Sequence, residues 1–83
     1  MISPQEVKAM IENAMPEAQI DVQSPDGEHF DVTVVSSQFA GKGLVQQHQL
    51  VYRAVKEAMS NDSIHAFALK TYTPEDWQAT AAS

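Results

Sequence analysis

The chain has 83 residues, 43% of them hydrophobic, with four prolines and three glycines, a balance that describes one small globular domain and leaves no room for two. Eleven acidic residues against five basic ones give a formal charge of −6, which repels a polyphosphate backbone unless the few cations gather on one face. Cysteine is absent, so disulfides, thiol nucleophiles and self-contained Cys-ligated metal sites are excluded; metal chemistry must use His, Asp or Glu, or a thiol lent by a partner.

Ser3-Pro4-Gln5-Glu6 reads as a capping box with proline at the first helical position, and Ile2 can staple onto Val7. The spacing predicts a helix from Pro4 with Val7, Met10, Ile11 and Ala14 on one buried stripe, stopped near Met15 by Pro16. Ile20 and Val22 alternate with polar neighbours, and so do Phe30, Val32 and Val34; Ser24-Pro25-Asp26-Gly27-Glu28 between them marks a β-hairpin with one wet face. The segment from Ser36 to Gly43 breaks the strand and has room for a single helical turn capped by Ser36 or Ser37. A longer helix follows, with an apolar stripe of Leu44, His48, Val51 and Val55 flanked by Val45, Tyr52 and Met59, ended by Ser60-Asn61-Asp62-Ser63. The run from about Ile64 to Thr71 supplies a third strand, and Thr73-Pro74-Glu75-Asp76 starts a last helix docked by Trp77, with residues 79–83 expected to fray.

A helical crossover between the second and third strands makes them parallel if they are neighbours, while the hairpin pair is antiparallel. The expected fold is therefore α+β, with a mixed three-stranded sheet and helices packed on one face, in a single domain over residues 1–83. No run approaches the eighteen or so apolar residues that span a bilayer, and the N-terminus lacks a signal-peptide pattern. A cytoplasmic protein without membrane contact is the expectation.

Parallel strands share a starting end. His29 and His65, each at the beginning of its strand, are therefore expected side by side, across a spacing of about 4.8 Å that lets two imidazoles share a ligand. Taken singly, each has a plainer reading. His29 sits in a turn, beside Gly27, where ordering the backbone costs entropy. His65 leads a strand whose Phe67 and Leu69 face inward, a position that by spacing alone favours a histidine capping or tying down a loop. His48, on the helix stripe, reads as a hydrogen-bonded core histidine. There is no His-x-x-x-His, Glu-x-x-His, Gly-x-Ser-x-Gly or phosphate-loop pattern. Gly41-Lys42-Gly43 is better explained as a flexible connection than as a phosphate site. Glu75 and Asp76 suit the positive end of the last helix, and no acid/base pair across a cleft is indicated, so an enzyme is the least supported class.

Taken together, the Asp26-Gly27-Glu28-His29-Phe30 turn, the segment VSSQFAGKGLVQQHQLVY from Val35 to Tyr52, and IHAFALKTYTPEDW from Ile64 to Trp77 resemble the BolA family, and within it the short, loop-poor IbaG-like subgroup. The resemblance implies an αββααβα fold of the class II KH type. It further implies an adaptor that pairs with a monothiol glutaredoxin of the CGFS type to hold a bridged [2Fe-2S] cluster, in cluster trafficking or iron and redox regulation. In that pairing glutaredoxin and glutathione supply thiolates, His65 is the strand ligand, and His29 occupies the position of a second, hairpin-loop ligand. The isolated chain is expected to bind no cluster, and self-association of the free chain is left open. The alternative is a KH-like DNA-binding transcriptional regulator using Lys42, Arg53, Lys56 and Lys70. This chain has Gln47-His48-Gln49 where many relatives carry Arg-His-Arg, and it lacks the Gly-x-x-Gly loop, which argues for weak DNA binding.

Overall fold

Ser3 caps the first helix in the computed structural model, which describes residues 2–56 and 66–82. Its hydroxyl accepts from the Glu6 amide at 3.1 Å and the Glu6 carboxylate reaches back to the Ser3 amide, satisfying two donors that the helix itself leaves open. This helix, α1 (Pro4–Ala14), buries Val7 and Ile11 completely. Ala14, expected on the buried stripe, is exposed. The chain leaves the helix at Met15, and it is Met15, 2% exposed, that turns into the core instead.

Strand β1 (Gln19–Gln23) pairs antiparallel with β2 (His29–Val35), and β2 pairs parallel with β3 (Ala66–Tyr72), in the order β1-β2-β3. The mixed sheet is thus the one the crossover demands. The Ile64–His65 start expected for the third strand, the Ser60–Ser63 helix end and Met59 lie outside the described residues. Phe30, Val32 and Val34 point to the core with Phe67 and Leu69, whereas Asp31, Ala68 and Lys70 are exposed, the alternation a pleated strand requires.

Between β2 and the next helix, residues Ser37–Phe39 form a 3-10 turn capped by Ser36, whose hydroxyl accepts from the Gln38 amide at 3.0 Å. This turn buries Phe39. Gly41, with φ of 77°, takes a left-handed conformation that suits glycine as the chain turns into α2 (Leu44–Ala54). The expected apolar stripe of α2 is corrected at its start: Leu44 is 63% exposed and Val45 70%. The first turn is tied by polar contacts instead. The Gln47 amide donates to the carbonyls of Phe39 and Lys42, and its oxygen accepts from Thr71 of β3 at 2.7 Å. Burial begins later along the helix, at Leu50, Val51, Ala54 and Val55.

The last helix, α3 (Pro74–Ala82), starts on Thr73, whose hydroxyl accepts from the Asp76 amide. The expectation of helices on one face describes α1 and α2. Trp77 of α3 lies against Tyr72, with ring centroids 5.3 Å apart, and borders a hollow with Thr33 and Val35. These strand residues alternate with the core-facing ones, so the indole sits over the other side of the sheet. Among the described residues no helix is long and apolar enough to cross a membrane.

Glu17, between α1 and β1, clamps the end of β2. Its carboxylate accepts from the hydroxyls of Ser36 at 2.5 Å and Ser37 at 3.2 Å, the Ser37 amide at 3.1 Å and the Gln38 side chain at 3.3 Å. Burial works against its charge, but the hydrogen bonds from Ser36, Ser37 and Gln38 outweigh it and hold the carboxyl below its ordinary value of 4.5. A lowered folded value means the clamp's stability is fully present above that ordinary value and is lost as pH falls through the folded one. Glu17→Ala leaves the Ser36 hydroxyl, on a residue 1% exposed, without its acceptor. It is expected to cost about 1–3 kcal/mol at neutral pH, a difference that urea denaturation should show shrinking toward acid pH.

Candidate metal-ligating edge of the sheet

The hairpin turn is built around Asp26. One carboxylate oxygen accepts from the backbone amides of Glu28 at 2.9 Å and His29 at 2.8 Å, and the other meets His29 Nδ1 at 2.5 Å. Ser24 accepts from the Gly27 amide at 3.0 Å, and Gly27 takes a φ of 77°. The amides of His29 and Glu28, then the imidazole, pull the Asp26 carboxyl down to about 2, so it is ionised across the ordinary pH range. An ionised carboxylate only accepts hydrogen bonds. His29 Nδ1 must therefore carry the proton, and the lone pair available to a metal falls on Nε2. This is the carboxylate–histidine arrangement that orients imidazole ligands at metal sites. The side chain of His29 is 62% exposed, open to a partner.

The turn is not a floppy support for His29, because Asp26 has already ordered it. Asp26, which the sequence reading gives no role, is the residue that holds the turn and meets the imidazole. Its signal was legible: an Asp three residues before a histidine in a Gly-containing turn is placed to accept both backbone and ring hydrogens.

The first residue of β2, His29, has Ala66 as its register partner in parallel β3. His65, bonded to Ala66, lies outside the described residues. Among the described residues no group of three or more His, Cys, Asp or Glu side chains could hold a metal by itself. The described residues thus offer one oriented imidazole here, and any metal held at this edge needs its other donors from elsewhere.

His48 is half-buried on α2, edge-on to Tyr52 with centroids 6.1 Å apart. The expectation of a hydrogen-bonded histidine is corrected at Nε2, which is buried and has no hydrogen-bond partner among the described residues. Lys42, Arg53 and Lys56, dispersed in sequence, border two adjoining hollows on the outer side of α2 that share Gln49 and Arg53. Lys70 does not join them. It stands on the opposite side of the sheet, in a hollow with Asp21 and Asp31.

A mixed β1-β2-β3 sheet, two helices on one side, and a histidine at the start of the central strand make a small α+β domain. Residues 2–76 match the family model for BolA-like protein. The chain belongs to the BolA-like family. It is 36% identical over 72 residues to acid stress protein IbaG of Escherichia coli, covering 87% of this chain and 84% of that protein. A second relative, the DNA-binding transcriptional regulator BolA of Vibrio cholerae, is 48% identical over 50 residues, 60% of this chain and 46% of that one. Among solved structures, a bolA protein homologue from Coxiella burnetii superposes with a TM-score of 0.81 at 35% identity, covering 94% of this chain and 99% of that chain.

Proposed function

We propose that the chain is the histidine-donating partner of a monothiol glutaredoxin of the CGFS type, the two proteins holding a bridged [2Fe-2S] cluster in cluster trafficking or in iron and redox regulation. The observation that carries this reading is His29, fixed by Asp26 in the Nδ1–H tautomer at the start of β2, with its parallel register partner Ala66 next to His65. In this reading His65 and His29 present nitrogen ligands, Asp26 orients one of them, and glutaredoxin and glutathione supply the thiolates this chain lacks. Histidine ligation on one iron raises a cluster's reduction potential relative to an all-thiolate site. The test is to combine the purified chain with a monothiol glutaredoxin, iron, sulfide and glutathione and record the visible spectrum, with the chain alone as a colourless control. Failure to form a complex or a spectrum distinct from that of the glutaredoxin alone overturns the reading.

Asp26→Asn probes the orienting contact. With the amide oxygen kept on the two backbone donors, the side-chain NH2 faces Nδ1, which must then accept and leave the proton on Nε2. The expected result is a cluster lost about 10-fold faster or more, measured as decay of visible absorbance. His29→Ala should make the cluster similarly labile.

A second reading, a DNA-binding regulator, is favoured by one observation, the gathering of Lys42, Arg53 and Lys56 along α2. Three cations displace few counterions, so the log–log salt slope is expected to be about −3 or shallower. Binding to duplex DNA should be weak and collapse at physiological salt. A tight, sequence-specific complex there would place this reading first.

A further inference from the structure

The side of the sheet away from α1 and α2 carries more acid than base, with Asp21 and Asp31 beside one cation, Lys70, next to an aromatic wall. Trp77, Val35, Gln19, Thr33 and Asp21 border a hollow of about 310 Å³. A second, of about 260 Å³, adjoins it across Trp77 and adds Glu17, Ser37 and Gln78. Val35, 7% exposed, forms an apolar floor, and the tilted Tyr72 ring braces the indole. Neither lining contains a lysine or arginine. The ionisable groups bordering the two hollows are the carboxylates Asp21 and Glu17, and exposed Glu75 and Asp76 occupy the turn of α3 that carries Trp77. Of the chain's own cations, Lys70 stands on this side, in a neighbouring hollow with Asp21 and Asp31, while Lys42, Arg53 and Lys56 lie in and beside α2 on the far side of the sheet.

We propose that this hollow is a docking site for an arginine side chain presented by a basic segment of a partner protein. A guanidinium is planar and weakly hydrated, so it stacks on an indole face while donating to acceptors in its own plane. Asp21, Gln19 and Thr33 supply acceptors beside Trp77. A lysine ammonium offers no plane to stack, and an anionic or phosphate-bearing ligand would meet the carboxylates Asp21 and Glu17 that line the two hollows. The site lies at the Val35 end of β2, six residues from His29, or about 20 Å at 3.3 Å per residue. It can therefore be occupied while the histidine edge is engaged, and its existence does not depend on the cluster reading.

The test is an NMR titration of the isotope-labelled chain with acetyl-Gly-Arg-Gly-amide, against acetyl-Gly-Gln-Gly-amide as control, with fluorescence of the single tryptophan as a second readout. The arginine peptide is expected to give saturable shifts centred on Trp77, Gln19 and Thr33 that weaken as salt is raised. Asp21→Asn should weaken binding about 3–5-fold, and Trp77→Leu should remove it. Should Trp77→Leu fail to fold, Asp21→Lys at an exposed position serves instead and must abolish the preference for arginine over glutamine. Equal response to the two peptides, shifts confined to the Asp26–Glu28 turn, or peptide-free, concentration-dependent shifts joining the α2 cations to Trp77 would each overturn the proposal, the last by making a second copy the occupant.

Discussion

His65→Ala is expected to abolish the visible spectrum of the heteromeric cluster while leaving the domain folded. A [2Fe-2S] cluster needs four ligands on its two irons. With thiolates from glutaredoxin and glutathione, the proposed share of this chain is histidine, and there is no cysteine to replace it. Among the described residues no alternative cluster of ligating side chains exists, and Asp26 is already committed to the backbone of its turn and to His29. Loss of the nitrogen ligand therefore has no substitute among the described residues. Circular dichroism melting of the variant, beside visible spectra of the reconstituted mixture, separates ligation from folding. If His65→Ala unfolds the domain and a folded His65→Gln variant forms the cluster unchanged, His65 is structural.

The largest stability effect is expected at the residue next to the other histidine. Phe30 is 1% exposed and packs in a core with Val7, Ile11, Val32, Val34 and Val51. Its register partner in β3 is Phe67. Removing a buried phenyl ring costs about 3–5 kcal/mol, from lost transfer energy and the cavity left behind. A chain of this size has a total stability of roughly 4–12 kcal/mol. Phe30→Ala should therefore unfold a large fraction of the protein at moderate urea and take cluster assembly with it. His29→Ala, one residue away but exposed, should shift the urea midpoint little while weakening the cluster. That contrast distinguishes the scaffold of the sheet edge from its chemistry.

Local signals carried most of the element boundaries. The Ser3 capping box with Pro4, the Thr73-Pro74 start and the Asp26-Gly27 turn are short-range devices whose hydrogen bonds close within a few residues. Strand parity was legible for the same reason, since Phe30, Val32 and Val34 alternate with polar residues and a pleated strand must sort them to opposite sides. The parallel pairing of β2 with β3 followed from the helical crossover, and with it the alignment of His29 beside the residue after His65.

Tertiary structure decided what depends on distant contacts. The exposure of Leu44 and Val45 was not readable from helical periodicity, because the first turn of α2 is held by Gln47 bonding to Phe39, Lys42 and Thr71, and not by apolar burial. The gathering of Lys42, Arg53 and Lys56 and the separation of Lys70 depend on which side of α2 and of the sheet remains open. The Glu17 clamp joins groups 19 to 21 residues apart, beyond any local pattern. Trp77 was expected to dock its helix, but only packing against Tyr72 placed it over the outer side of the sheet, where its polar neighbours come from β1, β2 and the loop before the 3-10 turn. Sequence by itself thus determined the elements, their caps and the strand faces, because backbone hydrogen bonding and side-chain alternation are local. Which side chains share a surface depended on packing between elements, because that is set by long-range contacts no short window contains.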